Sequence, residues 1–151
     1  VSQDLHELEA WALALIARLT PAARRTLARE IANTLRASQQ QRIAAQLNPD
    51  GTPYVPRKPQ LRKKAGRIRR TMFAKLRTAR FLKMDSRSDA AIVGFGVQVA
   101  RIARVHQQGL RDRVQPIGPY CHYPARQLLG LAKADREAVE TLLLEHVQRV
   151  G

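Results

Sequence analysis

The residues best placed to do chemistry in this 151-residue chain are its cations. Arg57, Lys58, Arg62, Lys63, Lys64, Arg67, Arg69 and Arg70 lead a run that continues through Lys75, Arg77, Arg80 and Lys83 to Arg87. Asp85 is the only acid in that stretch, which therefore carries +12 of the net charge of +15. Internal pairing cannot neutralise such a block, so its partner is nucleic acid, an acidic protein surface or solvent. A flexible, solvated arm is the plain reading for residues 57–64, which lie beside Pro53, Pro56 and Pro59. From Arg67 to Arg80 the cations alternate with Ile68, Met72, Phe73 and Leu76, an apolar row that would hold them in fixed positions. Fixed cations facing phosphates bind by releasing counterions, without reading bases. No helix-turn-helix or finger pattern accompanies them.

A catalytic constellation is hard to assemble from what remains. The histidines are His6, His106, His122 and His146. His6 and His146 fall on helical stretches and read as surface or boundary residues. Cys121 and His122 are adjacent, and neighbouring residues rarely ligate one metal; no second cysteine supplies a CxxC pair. No GxSxG, HExxH or phosphate-cradling loop is present. Glu7, Glu9, Glu30, Glu137, Glu140 and Glu145 belong to helices, and Asp85 and Asp89 flank a turn, where Asp is common for backbone reasons. The chain reads as a non-enzyme with no metal or cofactor. One further constellation is His106-Gln107-Gln108-Gly109 followed by Pro124-Ala125-Arg126-Gln127-Leu128-Leu129-Gly130-Leu131. Gly109 can end a helix, and Pro124 can open an extended segment or a turn. Arg126, a lone charge beside an apolar run, calls for a buried carbonyl or carboxylate. His106, Gln107, Gly109, Pro124 and Arg126 are thus candidate structural or interface positions.

The elements that must position these residues follow from periodicity. Residues 5–19 place Leu5, Leu8, Ala12, Leu15 and Leu19 on one helical face, widened by Trp11 and Ile16. Thr20-Pro21 starts a second helix, with Leu27, Ile31, Leu35, Ile43 and Leu47 in one row interrupted by Gln39. That helix should run to about Gln46, its far half polar nearly all round. Asn48-Pro49-Asp50-Gly51 ends it, and four prolines between 48 and 60 predict an extended basic arm over about 48–67. A short helix is expected over 68–76, a hairpin from 79–84 and 90–95, a helix over 97–107, a third strand over 113–117, and a closing helix over 133–150. Together these predict one α+β domain over 1–151: a small antiparallel sheet covered by helices, with a long N-terminal helical pair. Exposed edges of so small a sheet invite a neighbouring subunit. No apolar run approaches the ~18–20 residues of a membrane span, and the start lacks the pattern of a signal peptide. A single cysteine fits a reducing compartment.

The Ala-Arg-Val-His-Gln-Gln-Gly segment at 103–109, the Pro-Ala-Arg-Gln-Leu-Leu-Gly-Leu segment at 124–131 and the closing amphipathic helix resemble the phage virion morphogenesis family. The order of parts also fits: Leu-rich opening helices ending in a Gln/Arg tract, then Asn-Pro-Asp-Gly-Thr-Pro-Tyr, then a Lys/Arg-rich arm. Ala132 departs from the pattern, standing where a helix-capping Ser or Thr is frequent. The resemblance implies a structural protein of the virion that completes the tail of contractile-tailed phages and helps join it to the head. It would be assembled in the host cytoplasm. It also implies a homo-oligomeric ring, a hexamer, flanked by tail tube or terminator and head-connector proteins, with DNA in the lumen and no membrane. A nucleic-acid-binding protein without sequence preference is the alternative that the charge block alone leaves open.

Overall fold

The computed structural model describes residues 2–58 and 71–150. Arg62, Lys63, Lys64, Arg67, Arg69, Arg70 and Ile68 lie outside the described residues. Four helices and four short strands occur among the described ones: α1 (Ser2–Ile16), α2 (Pro21–Ala44), β1 (Leu82–Ser86), β2 (Ala91–Phe95), α3 (Ala100–Gln108), β3 (Arg111–Arg113), β4 (Tyr120–His122) and α4 (Lys133–Val150). The class is α+β, as composition and periodicity predict. Its strands form two separate two-stranded sheets, β1 with β2 and β3 with β4, rather than one sheet of three.

Local chemistry explains most boundaries. Thr20 caps α2: the Ala23 N–H donates to Thr20 Oγ1 at 3.2 Å, and Pro21 occupies the first turn, where its missing N–H leaves no helical bond unmade. The β1–β2 turn closes with the Arg87 N–H donating to the Ala90 carbonyl at 2.8 Å. Gly109 ends α3 in the left-handed region, φ +65°, and the Leu110 N–H donates back to the Val105 carbonyl at 2.9 Å.

Three expectations are corrected. The third strand lies at 111–113, not 113–117, because Pro116 and Gly118 belong to the turn that returns the chain as β4. Its register pairs Arg111 with His122, Asp112 with Cys121 and Arg113 with Tyr120. The helix expected at 68–76 is not formed in its described part, where residues 72–77 are a series of turns and Phe73 sits at φ +64°. The reason is tertiary: the Gln46 amide receives the Met72 N–H at 3.2 Å and donates to the Met72 carbonyl at 2.9 Å, taking the groups a helix would use. Residues 48–54, read from the prolines as the start of an extended arm, instead make a closed turn. The Gly51 N–H donates to the Asn48 carbonyl at 2.9 Å, Asp50 accepts from the Thr52 N–H at 2.9 Å, and the Tyr54 N–H returns to the Gln46 carbonyl at 2.7 Å.

The chain divides into two compact units. One comprises 1–37, 84–93 and 133–151. Its core is Leu19, Leu27 and Leu143, with Ala12, Ile16, Ala23, Ile31, Val139, Leu142 and Val147 packed around them. Inside it, buried His146 on α4 meets Glu30 on α2 at 2.9 Å, so His146 is not a surface residue. The other comprises 38–83 and 94–132 and is built on Ile43, Tyr54, Leu76, Val99, Ala103 and Leu128. It contains the features of chemical interest.

Candidate functional site

Residues 124–131 cross the second unit without regular secondary structure, yet Leu128 is fully buried. A buried irregular segment must have its backbone polar groups satisfied from elsewhere. Side chains do this almost residue by residue. The Gln127 N–H donates to Asn48 Oδ1 at 2.9 Å, and the Gln127 carbonyl accepts from Arg42 at 2.9 Å and from the Tyr54 hydroxyl at 3.0 Å. The N–H groups of Leu128 and Leu129 donate to Gln107 Oε1 at 2.8 and 2.9 Å, while Gln107 Nε2 donates to the Leu129 carbonyl at 2.9 Å. Arg42 also donates to the Leu128 carbonyl at 3.0 Å and to Gln39, whose Oε1 accepts the Gly130 N–H at 3.2 Å. Gln39 and Arg42 are nearly inaccessible to solvent. The Gln/Arg tract of α2, the Asn-Pro-Asp-Gly turn, the glutamine of α3 and this strap are one hydrogen-bonded network.

The candidate residues at 106–126 occupy its edge. The Arg126 N–H donates to the His106 carbonyl at 2.7 Å, and its buried guanidinium donates to the carbonyls of Val55 at 2.7 Å and Pro56 at 3.1 Å. Burial, and secondarily the charge of Arg57, lower the Arg126 pKa. Gly109 brings the end of α3 so close to the strap that a Cβ there would lie 2.8 Å from the Ala125 nitrogen. Gly130 is just as confined, against the Pro49 ring.

Beside the network lies a cavity of about 480 Å³, lined by Arg57, Lys58, Met72, Phe73, His106, Val114, Cys121, His122, Tyr123, Pro124 and Arg126. Its aromatic wall is a relay of edge-to-face rings: Tyr54 on Phe73 at 5.8 Å, Phe73 on His106 at 4.8 Å, and His106 on Tyr123 at 5.0 Å. Burial, and then the Arg126 charge, push the His106 pKa below its ordinary 6.5. Its Nδ1 is buried without a hydrogen-bond partner among the described residues, which an imidazolium could not tolerate cheaply. Of the eight cations singled out at 57–70, Arg57 and Lys58 are described and both line this cavity. Among the described residues, three cationic side chains and no carboxylate face it. Asp112, on the ribbon opposite Cys121, is held below the usual carboxylate range by the Arg113 N–H and by Arg101, which bridges to it.

Sequence reasoning missed Gln39, Arg42, Gln46, Asn48 and Tyr54. The available signal was the polar residue inside an apolar row: Gln39 stands between Leu35 and Ile43 at four-residue steps, where only a hydrogen-bonded side chain belongs. Among the described residues no group of three or more His, Cys, Asp or Glu side chains could hold a metal ion. No helix there is long and apolar enough to cross a membrane.

Compared with known proteins, residues 3–148 match the phage virion morphogenesis family. The chain is 47% identical over 137 residues to tail completion protein S of Escherichia phage P2, a match covering 89% of this chain and 91% of that protein. No solved structure matches.

Proposed function

The chain belongs to the phage virion morphogenesis family, and from that premise we propose that it is a tail completion subunit. It is a non-enzymatic component of the virion tail, which closes the head-proximal end of the tail as a ring of copies, hexameric, and takes part in joining tail to head. The observation that carries this reading is the 47% identity to a tail completion protein across nearly the whole of both chains. The strap network adds physical sense to it. A segment whose backbone is satisfied by side chains from α2 and α3 needs those distant side chains kept together, and the match spans 89% of this chain.

The basic stretch at 57–70 then faces either DNA in the lumen or an acidic ring above or below. Cations lining a lumen would retain DNA rather than let it slide, which suits a junction. Arg67→Glu, Arg69→Glu and Arg70→Glu together should leave the folded chain intact and prevent productive head–tail joining. Phage titre is the measurement, and a normal titre from the triple variant would refute the role given to the stretch.

The charge block favours one second reading, a nucleic-acid-binding protein without sequence preference. On that reading the isolated chain binds duplex DNA with a logarithmic salt slope of about −0.9 for each phosphate contacted. Negligible DNA affinity in the purified chain, together with its presence in particles, separates the assembly role from this one.

A further inference from the structure

The cavity beside the strap and the first helix are opposites in charge. In a chain of net charge +15, α1 contains no Lys or Arg and three carboxylates, Asp4, Glu7 and Glu9. Glu7 and Glu9 are exposed, as are Leu5, Trp11 and Leu13. Trp11 is the chain's only tryptophan and keeps 38% of its surface accessible. Glu7 and Trp11 are four residues apart and share a helix face. An exposed Trp beside a carboxylate is the composition of an interface anchor, because Trp supplies large contact area with little entropy to lose. The cavity offers the complement: apolar walls from Met72, Phe73, Val114 and Pro124, with exposed Arg57 and Lys58.

We propose that α1 of one copy docks on the cavity of a second copy, Trp11 entering between Phe73 and Val114 while Glu7, on the same helix face, meets Arg57 and Lys58. The inference rests on the ring reading and supplies its interface. Two different patches of one chain joined head to tail form a heterologous contact, the kind that closes into rings. Another occupant fits less well. The chain's own residues 59–70 contain six cations and no acid, so their charge does not complement the cavity's. Burial and the neighbouring Arg57 already disfavour the charge on Arg126, so a carboxylate arriving here relieves repulsion that an uncharged occupant would leave in place.

The test uses the full chain in assembled tails and as concentrated purified protein. Ala10 is exposed on α1, and Cys121 is the chain's only cysteine and lines the cavity. With Ala10→Cys, a short bismaleimide should give a ladder of covalent oligomers in multiples of 17.0 kDa, lost when Cys121→Ser is added. The reversals Glu7→Lys and Arg57→Glu/Lys58→Glu should each weaken self-association by about tenfold or more, and their combination should restore most of it. Trp11→Ala should weaken it comparably. A multi-copy assembly with no ladder and no rescue overturns this interface and leaves the ring reading standing. Tails that hold a single copy of the chain overturn both. Reversals that change affinity for a duplex DNA oligonucleotide but leave self-association untouched assign the cavity to nucleic acid and overturn the proposal.

Discussion

Replacing Gly109 with alanine would force a side chain into φ +65° and set its Cβ 2.8 Å from the Ala125 backbone nitrogen. The left-handed conformation alone costs about 1–2 kcal/mol for an L-residue, and backbone on the far side cannot swing away as a flexible side chain would. Gly109→Ala should therefore lower the denaturant midpoint at unchanged slope; an unchanged midpoint would mean that the α3–strap approach is looser than described. His106 makes a prediction of the opposite kind, about solution conditions. Its folded pKa lies below the ordinary 6.5 through burial and the Arg126 charge, so below that pH the unfolded chain takes up a proton more readily than the folded one. The stability tied to the neutral ring is complete above about pH 6.5 and is lost as pH falls through the lowered folded value. Unfolding measured from about pH 7 to about pH 5 should show this loss, and His106→Gln should flatten it. An identical pH slope in the variant would contradict the assignment.

At the scale of elements, α2 does two jobs along one helix. Its first part buries Leu27 in one core, and its last turns direct Gln39 and Arg42, with Gln46 just beyond its end, toward segments that lack regular structure. Arg42→Met keeps the length of the side chain and removes donors to the carbonyls of Leu47, Gln127 and Leu128. The Gln127 carbonyl keeps the Tyr54 hydroxyl, and Leu128 is the buried acceptor among the three; leaving a buried acceptor unpaired costs about 1–3 kcal/mol, so the variant should lose about that much by equilibrium unfolding, and an unchanged stability would show that the strap is held by packing alone. The same arrangement explains which elements could be read from the chain. The closing helix at 133–150 and the Thr20-Pro21 start of α2 were legible because their signals are local: periodicity, a cap, a proline at the first turn. The turns at 72–77 were not, because Ile68, Met72, Phe73 and Leu76 do repeat like a helix and only Gln46, 26 residues before Met72, diverts the backbone. β4 escaped notice because three residues, Tyr120, Cys121 and His122, are too few to show a period of two. Of the site, Arg126 was readable as a lone charge needing a buried carbonyl or carboxylate, and the structure supplies carbonyls. Gln39 and Arg42 lay in a helix half that is polar nearly all round, the pattern of a helix that projects from the body or packs on a partner, because a polar residue that is buried and one that is exposed look alike until its partners are known.

For the whole molecule, the charge asymmetry decides the account. A chain with +12 of its charge in one stretch, and a first helix whose formal charges are all acidic, has charges that do not balance locally; on the reading proposed above they meet surfaces outside the protomer. Compactness alone would be served better by interspersed charge. The family is that of phage virion morphogenesis, and on the proposed reading the assembling virion supplies that counter-surface. The most direct measurement is electron cryomicroscopy of the complete particle with this chain located by its side-chain density. The account predicts a ring of copies at the head-proximal end of the tail, with residues 57–70 against DNA or an acidic neighbour. A particle in which the chain is absent, or lies anywhere else along the tail, would contradict it.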